Sequence, residues 1–185
     1  MNNIETKSQH KNTVRLAKMG MLVAISIVLV SIIHFPIFPA VPFLEYDPAD
    51  IPILIGTFAF GPVAGLLLTV VTCVIQGVTV SAASGLYGIL MHIIATGTFV
   101  IVAGTIYSRN KSKKAGVIAL VCGTLAMAAI MVPSNLFITP YFMGAPREAI
   151  IQLLPFIIAF NLVKAGINSL VTLVLYKKIS RFLHK

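Results

Sequence analysis

From Ile51 through Ser108 the chain carries no Asp, Glu, Lys or Arg, and a second charge-free stretch runs from Ala115 through Pro146. No other feature constrains the fold as tightly. Of the 185 residues, 58% are hydrophobic and 10% charged, and the mean hydropathy is +0.98. A soluble domain of this size has too little interior to hide so much apolar surface. Several runs approach the ~20 residues that cross a bilayer core. The chain therefore reads as an all-α integral membrane protein, because helices satisfy their own backbone groups within lipid. The first apolar run is too long for the h-region of a cleavable signal peptide, and no small-x-small cleavage site follows it.

Hydrophobicity and helix breakers divide the chain into six transmembrane helices, at about 13–33, 50–60, 62–78, 85–107, 115–135 and 148–182. A basic and mobile tail is expected over 1–12, and a single domain over 13–185. His34 to Pro48 cannot be helical, since prolines recur through it, and a loop is expected over 34–49. Asp50 is placed as N-cap of the second helix with Pro52 in its first turn. Gly61-Pro62 separates helices two and three. Pro133 is expected near the end of helix five, and Pro155 to kink or restart helix six.

The net charge of +9 falls in three juxtamembrane clusters. Lys7, Lys11, Arg15 and Lys18 precede the first span; Arg109, Lys111, Lys113 and Lys114 link spans four and five; Lys177, Lys178, Arg181 and Lys185 close the chain. This distribution fits the positive-inside rule and anionic lipid, and excludes nucleic acid as the partner. Both termini are expected on the cytoplasmic side of the cell membrane. Glu45, Asp47, Asp50 and Glu148 fall on the other side, with the 34–49 and 136–148 segments. Cys73 and Cys122 lie inside spans with no metal-ligand spacing and read as small buried hydrophobes. No Walker A loop is present, so the chain has no means of powering transport by itself.

Lys164 sits deep in an apolar run, where a charged amine costs roughly 2.5–3.5 kcal/mol on insertion scales. Asn161 and Asn168, at i−3 and i+4, share its helical face. Counting back ~20 residues from Tyr176 places Asn161 and Lys164 in the outer half of the membrane, with Asn168 deeper. Asn135, at the end of helix five, falls at a similar level. These groups point to a cavity opening outward, although asparagines also serve simply to join helices. In the loop, Phe35, Phe38, Phe43 and Tyr46 alternate with Pro36, Pro39, Pro42 and Pro48. That density suggests a stiff aromatic lid for a planar ligand, the other reading being an interfacial aromatic belt. On helix one, Ala17, Gly20, Ala24 and Ser31 share a face that permits close approach of another helix, inside the bundle or outside it. His92 reads as a satisfied core histidine and His34 as interfacial. Gln76 and Tyr87 either line the cavity or anchor the interface, and Arg147 and Glu148 read as solvated.

Two segments carry a resemblance to a known family: 44–65, LEYDPADIPILIGTFAFGPVAG, and 154–164, LPFIIAFNLVK. The chain resembles the substrate-binding S components of energy-coupling factor (ECF) vitamin transporters, most of all the riboflavin-specific type, over nearly its whole length. The resemblance implies a six-helix fold that binds riboflavin under the first outer loop, with no catalytic chemistry and no cofactor. It also implies association with a transmembrane coupling subunit and two cytoplasmic ATPases. The implied ligand set is Glu45, Tyr46 and Asp47 in the loop, Asn135 on helix five, and Asn161, Lys164 and Asn168 on helix six. The implied docking face is Ala17, Gly20 and Ala24, where Gly20-x-x-x-Ala24 stands in for the family's Ala-x-x-x-Ala. Met91-His92 departs from the Met-Asn of many relatives. An S component for another vitamin such as thiamine, or a small secondary transporter, is the competing expectation. A proton-coupled exporter is disfavoured because Glu45, Asp47 and Asp50 are placed at or outside the membrane boundary. A lipid-processing enzyme lacks the clustered acids it would need.

Overall fold

The computed structural model describes residues 2–183. The chain end at Lys185 and the side chains of Lys7, Lys11, Lys177 and Arg181 lie outside the described residues. Helices account for nearly all of it: α1 (Asn2–Ile32), α2 (Asp50–Phe60), α3 (Pro62–Val78), α4 (Gly85–Arg109), α5 (Lys113–Met143) and α6 (Arg147–Leu183). A two-residue ribbon, β1 (Phe35–Pro36) with β2 (Glu45–Tyr46), and a 3₁₀ turn at Ala82–Ser84 complete it. Four stretches, Asn12–Ile32, Ala82–Arg109, Lys113–Met143 and Arg147–Tyr176, are long and apolar enough to cross a membrane; α2 and α3 are shorter apolar helices.

Several boundaries differ from the sequence expectation. The 1–12 segment, expected as a separate tail, continues α1 back to Asn2. Its Glu, Lys and Gln residues are good helix formers, and an existing helix propagates more easily than it nucleates. α5 continues past Pro133 to Met143 and is stopped by Gly144 in the left-handed conformation (φ 61°). Side-chain bonds back to the helix flank the proline, from Ser134 Oγ to the Ile130 carbonyl (2.8 Å) and from Asn135 Nδ2 to the Met131 carbonyl (2.8 Å). Pro155 likewise neither ends nor restarts α6, which runs on as one helix. Membrane helices tolerate such prolines where neighbours satisfy the freed backbone groups.

The short α2 is the packing centre, touching α1, α3, α4 and α6. Gly61 turns the chain between α2 and α3 at φ 94°, a conformation suited to glycine, and Pro62 follows at the start of α3. α4 reaches this turn because Gly104 has no side chain: a Cβ there would lie 2.9 Å from Pro62 Cβ and 3.0 Å from Pro62 Cα. At this end of the bundle Phe58 stacks on Tyr107 (4.3 Å), Tyr176 meets both rings edge-on, and its hydroxyl donates to the Phe58 carbonyl (3.3 Å). Arg15 Nη2 donates to the Phe60 carbonyl at 3.0 Å. Aromatic packing therefore seals one end, and the polar residues collect at the other.

On α1, Leu22, Ser26 and Val30 face inward and are buried, whereas Ala17, Gly20 and Ala24 are exposed. A Cβ on Gly20 would meet nothing within 4 Å. The small-residue stripe is thus not used in packing this bundle.

Candidate ligand-binding site

The loop between α1 and α2 folds back over the open end of the bundle. Pairing of Phe35 with Tyr46 and of Pro36 with Glu45 closes it into a ribbon. Val41 plugs into a small apolar cluster with Ile150 and Ile157 of α6, and Phe38 meets Phe156 edge-on at 6.2 Å. Phe35 packs on Tyr46 at 5.5 Å, which leaves Phe43 as the one of the four loop aromatics lining the cavity beneath.

That cavity holds about 810 Å³ of atom-free space, the open solvent at its mouth included. Its wall combines Phe43, Glu45 and Asp47 of the loop with Gln76 of α3, His92 of α4, Met127 and Met131 of α5, and Asn161 and Lys164 of α6. A smaller and more apolar lobe adjoins it, sharing Phe43, Leu44, Ser84, Gly88, Met91 and Met131 and extending to Tyr87, Asn135, Ile138, Thr139 and Phe142.

Lys164 has a partner from the loop. Its Nζ donates to Asp47 Oδ2 at 2.8 Å, with both side chains buried. Asp47 Oδ1 accepts from the Ala49 N–H at 3.0 Å, so one carboxylate both caps the entry to α2 and binds α6. Asn168 lies one turn deeper and is fully buried; its Nδ2 donates to the Asp47 carbonyl and to Asp50 Oδ2, each at 3.2 Å. Its Oδ1 accepts from the Tyr46 hydroxyl at 3.1 Å. Burial and the neighbouring Asp47 carboxylate raise the Tyr46 phenol above its ordinary pKa, which keeps it a proton donor in that bond. Asp50 also accepts from Thr96 Oγ1 at 2.8 Å and lies 3.3 Å from His92 Nε2.

The expected residues therefore fall into three sets. Glu45, Asp47, Asn161 and Lys164 line the cavity. Tyr46 and Asn168 do not; they stand behind Asp47 and hold it in place. Asn135 does not end α5 and does not line the main cavity. It faces the smaller lobe, its amide bonded to the Met131 carbonyl and to Thr139 Oγ1 (2.9 Å).

Asp50 requires the largest correction. It was expected at the boundary as an N-cap, but Ala49 occupies that position and the Asp50 carboxylate is fully buried among Thr96, Asn168 and His92. Asp47 is buried as well, at 4% exposure. Sequence reasoning missed the Asp50–Thr96 contact. A signal was present in the i, i+4 spacing of His92 and Thr96 and in an acid at the start of an uncharged stretch. Gln76 and Tyr87 each prove to line a cavity.

A helical membrane bundle, sealed at one end by aromatics and carrying at the other a lidded cavity with a charged wall, defines a small-molecule-binding membrane protein. Comparison with known proteins gives the family. The model for the ECF transporter substrate-specific component matches residues 14–176, and the chain belongs to that family. Similar relatives include the riboflavin transporter RibU of Staphylococcus aureus (strain TCH60), 29% identical over 178 residues, 92% of this chain and 93% of the relative. The riboflavin transporter FmnP of Bacillus subtilis (strain 168) is 26% identical over 181 residues, 92% and 94% of the two chains. A solved S component of a bacterial ECF transporter superposes with a TM-score of 0.82 at 30% identity, covering 95% of this chain and 99% of that one.

Proposed function

We propose that this chain is the riboflavin-capturing subunit of an ECF-type importer. The observation that carries the reading is the cavity under the loop, with a hydrogen-bonding wall joined to an apolar lobe. Riboflavin has the same division: a flat, largely apolar ring system with an imide edge, and a polyol chain. Full-length relatives named as riboflavin transporters support the same ligand. The proposed contacts are Glu45, Asp47, Asn161 and Lys164 in the main cavity and Asn135 in the lobe, with Tyr46 and Asn168 positioning Asp47.

Capture follows from the loop. Asp47 belongs to the lid and Lys164 to the bundle, so their bridge fastens the lid over whatever lies beneath. The loop faces outward and both termini face the cytoplasm, in keeping with the basic 109–114 loop and chain ends. The exposed face of Ala17, Gly20 and Ala24 docks a transmembrane coupling subunit, and two ATPases on that subunit supply the energy. The chain itself hydrolyses no nucleotide and needs no cofactor, riboflavin being cargo.

The test is titration of the detergent-purified chain with riboflavin, without partner subunits, read by flavin fluorescence quenching. Saturable, stoichiometric quenching is expected. Folded protein that quenches nothing would sink the riboflavin assignment while leaving the family intact.

A further inference from the structure

Gln76 lies in the last turn of α3 and is held there by its own backbone: its carbonyl accepts from the Thr79 N–H (3.2 Å) and the Ser81 N–H (2.9 Å). Its side chain, 5% exposed, lines the main cavity beside Asp47, His92 and Lys164. Nε2 reaches Ser81 Oγ at 3.4 Å, while Oε1 is buried with no hydrogen-bond partner. Among the described residues only the Thr72 and Thr172 hydroxyls share that condition, and neither lines the cavity. Reversing the amide does not remove the orphan. Ser81 would then serve Oε1 and leave Nε2 without a partner.

Burying half an amide unpaired is unfavourable, and Met or Leu at this position would avoid it. Elsewhere on the wall Lys164 is bonded to Asp47, Asp47 to Lys164 and the Ala49 N–H, and Asn161 Nδ2 to the Ile157 carbonyl (2.8 Å). Among the described residues of the wall, Gln76 alone carries a buried side-chain polar atom without a hydrogen-bond partner.

We propose that Gln76 reads a hydroxyl of the ligand's polyol chain and thereby selects a flavin that carries the chain over one that lacks it. This rests on the riboflavin reading. A hydroxyl both donates and accepts, so it completes the amide in either orientation, whereas a ring carbonyl or imide N–H completes only one. The polyol then lies along the polar wall, and the ring system fills the apolar lobe walled by Tyr87, Ile138 and Phe142.

The experiment compares wild type with Gln76→Met in the intact, detergent-purified chain. It measures quenching affinities for riboflavin and for lumiflavin, whose methyl group replaces the polyol chain, and the melting temperature without ligand. The variant is expected to lose about tenfold in riboflavin affinity. Its lumiflavin affinity should not change, and its ligand-free melting temperature should not fall, because the substitution deletes an unpaired buried group. Equal loss for both ligands, a lowered melting temperature or failure to fold assigns Gln76 a structural role and overturns the proposal. Wild-type binding of riboflavin with both affinities unchanged in the variant removes Gln76 from the site but leaves the riboflavin reading standing. Wild type that binds no riboflavin overturns both.

Discussion

Replacing Lys164 by Met keeps the length and apolar stem of the side chain and deletes only its charge. Its partner Asp47 lies at 2.8 Å, and the two side chains are 7% and 5% exposed, which removes the pair from the regime of surface salt bridges worth ~0–1 kcal/mol. At an effective dielectric of ~20, unit charges 4 Å apart attract by about 4 kcal/mol, and desolvation offsets part of that. Removing one partner of such a pair typically costs about 3–5 kcal/mol, because the other charge is left buried and alone. Here the survivor has an escape, since Asp47 sits on a loop that can lift into water. The expected result of Lys164→Met is therefore an undocked lid rather than an unfolded bundle. Riboflavin affinity should fall by at least ~100-fold, and amides of residues 37–47 should exchange hydrogen much faster while those of α2 to α5 do not. Asp47→Asn keeps an acceptor for the Ala49 N–H and removes the stranded charge. The double variant should recover part of the lost affinity, with a coupling energy of about 2–3 kcal/mol in the cycle. Coupling below ~0.5 kcal/mol, or unchanged exchange in the loop, would refute the idea that this bridge fastens the lid.

Three further outcomes are expected. Asp50→Ala strands Thr96 Oγ1, one contact of Asn168 and the facing His92 nitrogen, and should destabilise the bundle by about 2–4 kcal/mol, read as a lower melting temperature in detergent; Asp50→Asn, which keeps an acceptor, should lose less. Gly104→Val drives a side chain into the backbone of Pro62 and should cost about 1–3 kcal/mol in the same assay, with Gly97→Ala, whose Cβ would meet only Leu66 at 3.4 Å, close to neutral. Ala24→Leu on the exposed face of α1 should leave riboflavin quenching unchanged yet abolish co-purification with the coupling subunit, and retained co-purification would move the docking surface elsewhere.

The polar face of α6 was legible because helical geometry is local. Asn161, Lys164 and Asn168 share a stripe at any tertiary arrangement, and a lysine in an apolar run demands a partner. The helix count was legible as well: four stretches are long and apolar enough to span, and the Gly61-Pro62 breaker divides the two shorter helices. Helix ends were less so. Pro133 and Pro155 carry the chemistry of breakers, yet α5 and α6 run through them.

Which groups meet was beyond the sequence. Asp47 and Lys164 are 117 positions apart, and Asp50 and Asn168 are 118 apart. Nothing in either segment distinguishes a boundary carboxylate from one buried beside an amine and an imidazole. Asp50 fits an N-cap by every local rule, and it became the buried anchor because α4 and α6 supply donors in the space where α2 begins. Apolar runs and their breakers determined that this chain is a helical membrane protein with a polar seam in its last helix. The tertiary structure alone decided that the seam would close on a loop, since the energy of a buried charge depends on neighbours far away in the chain.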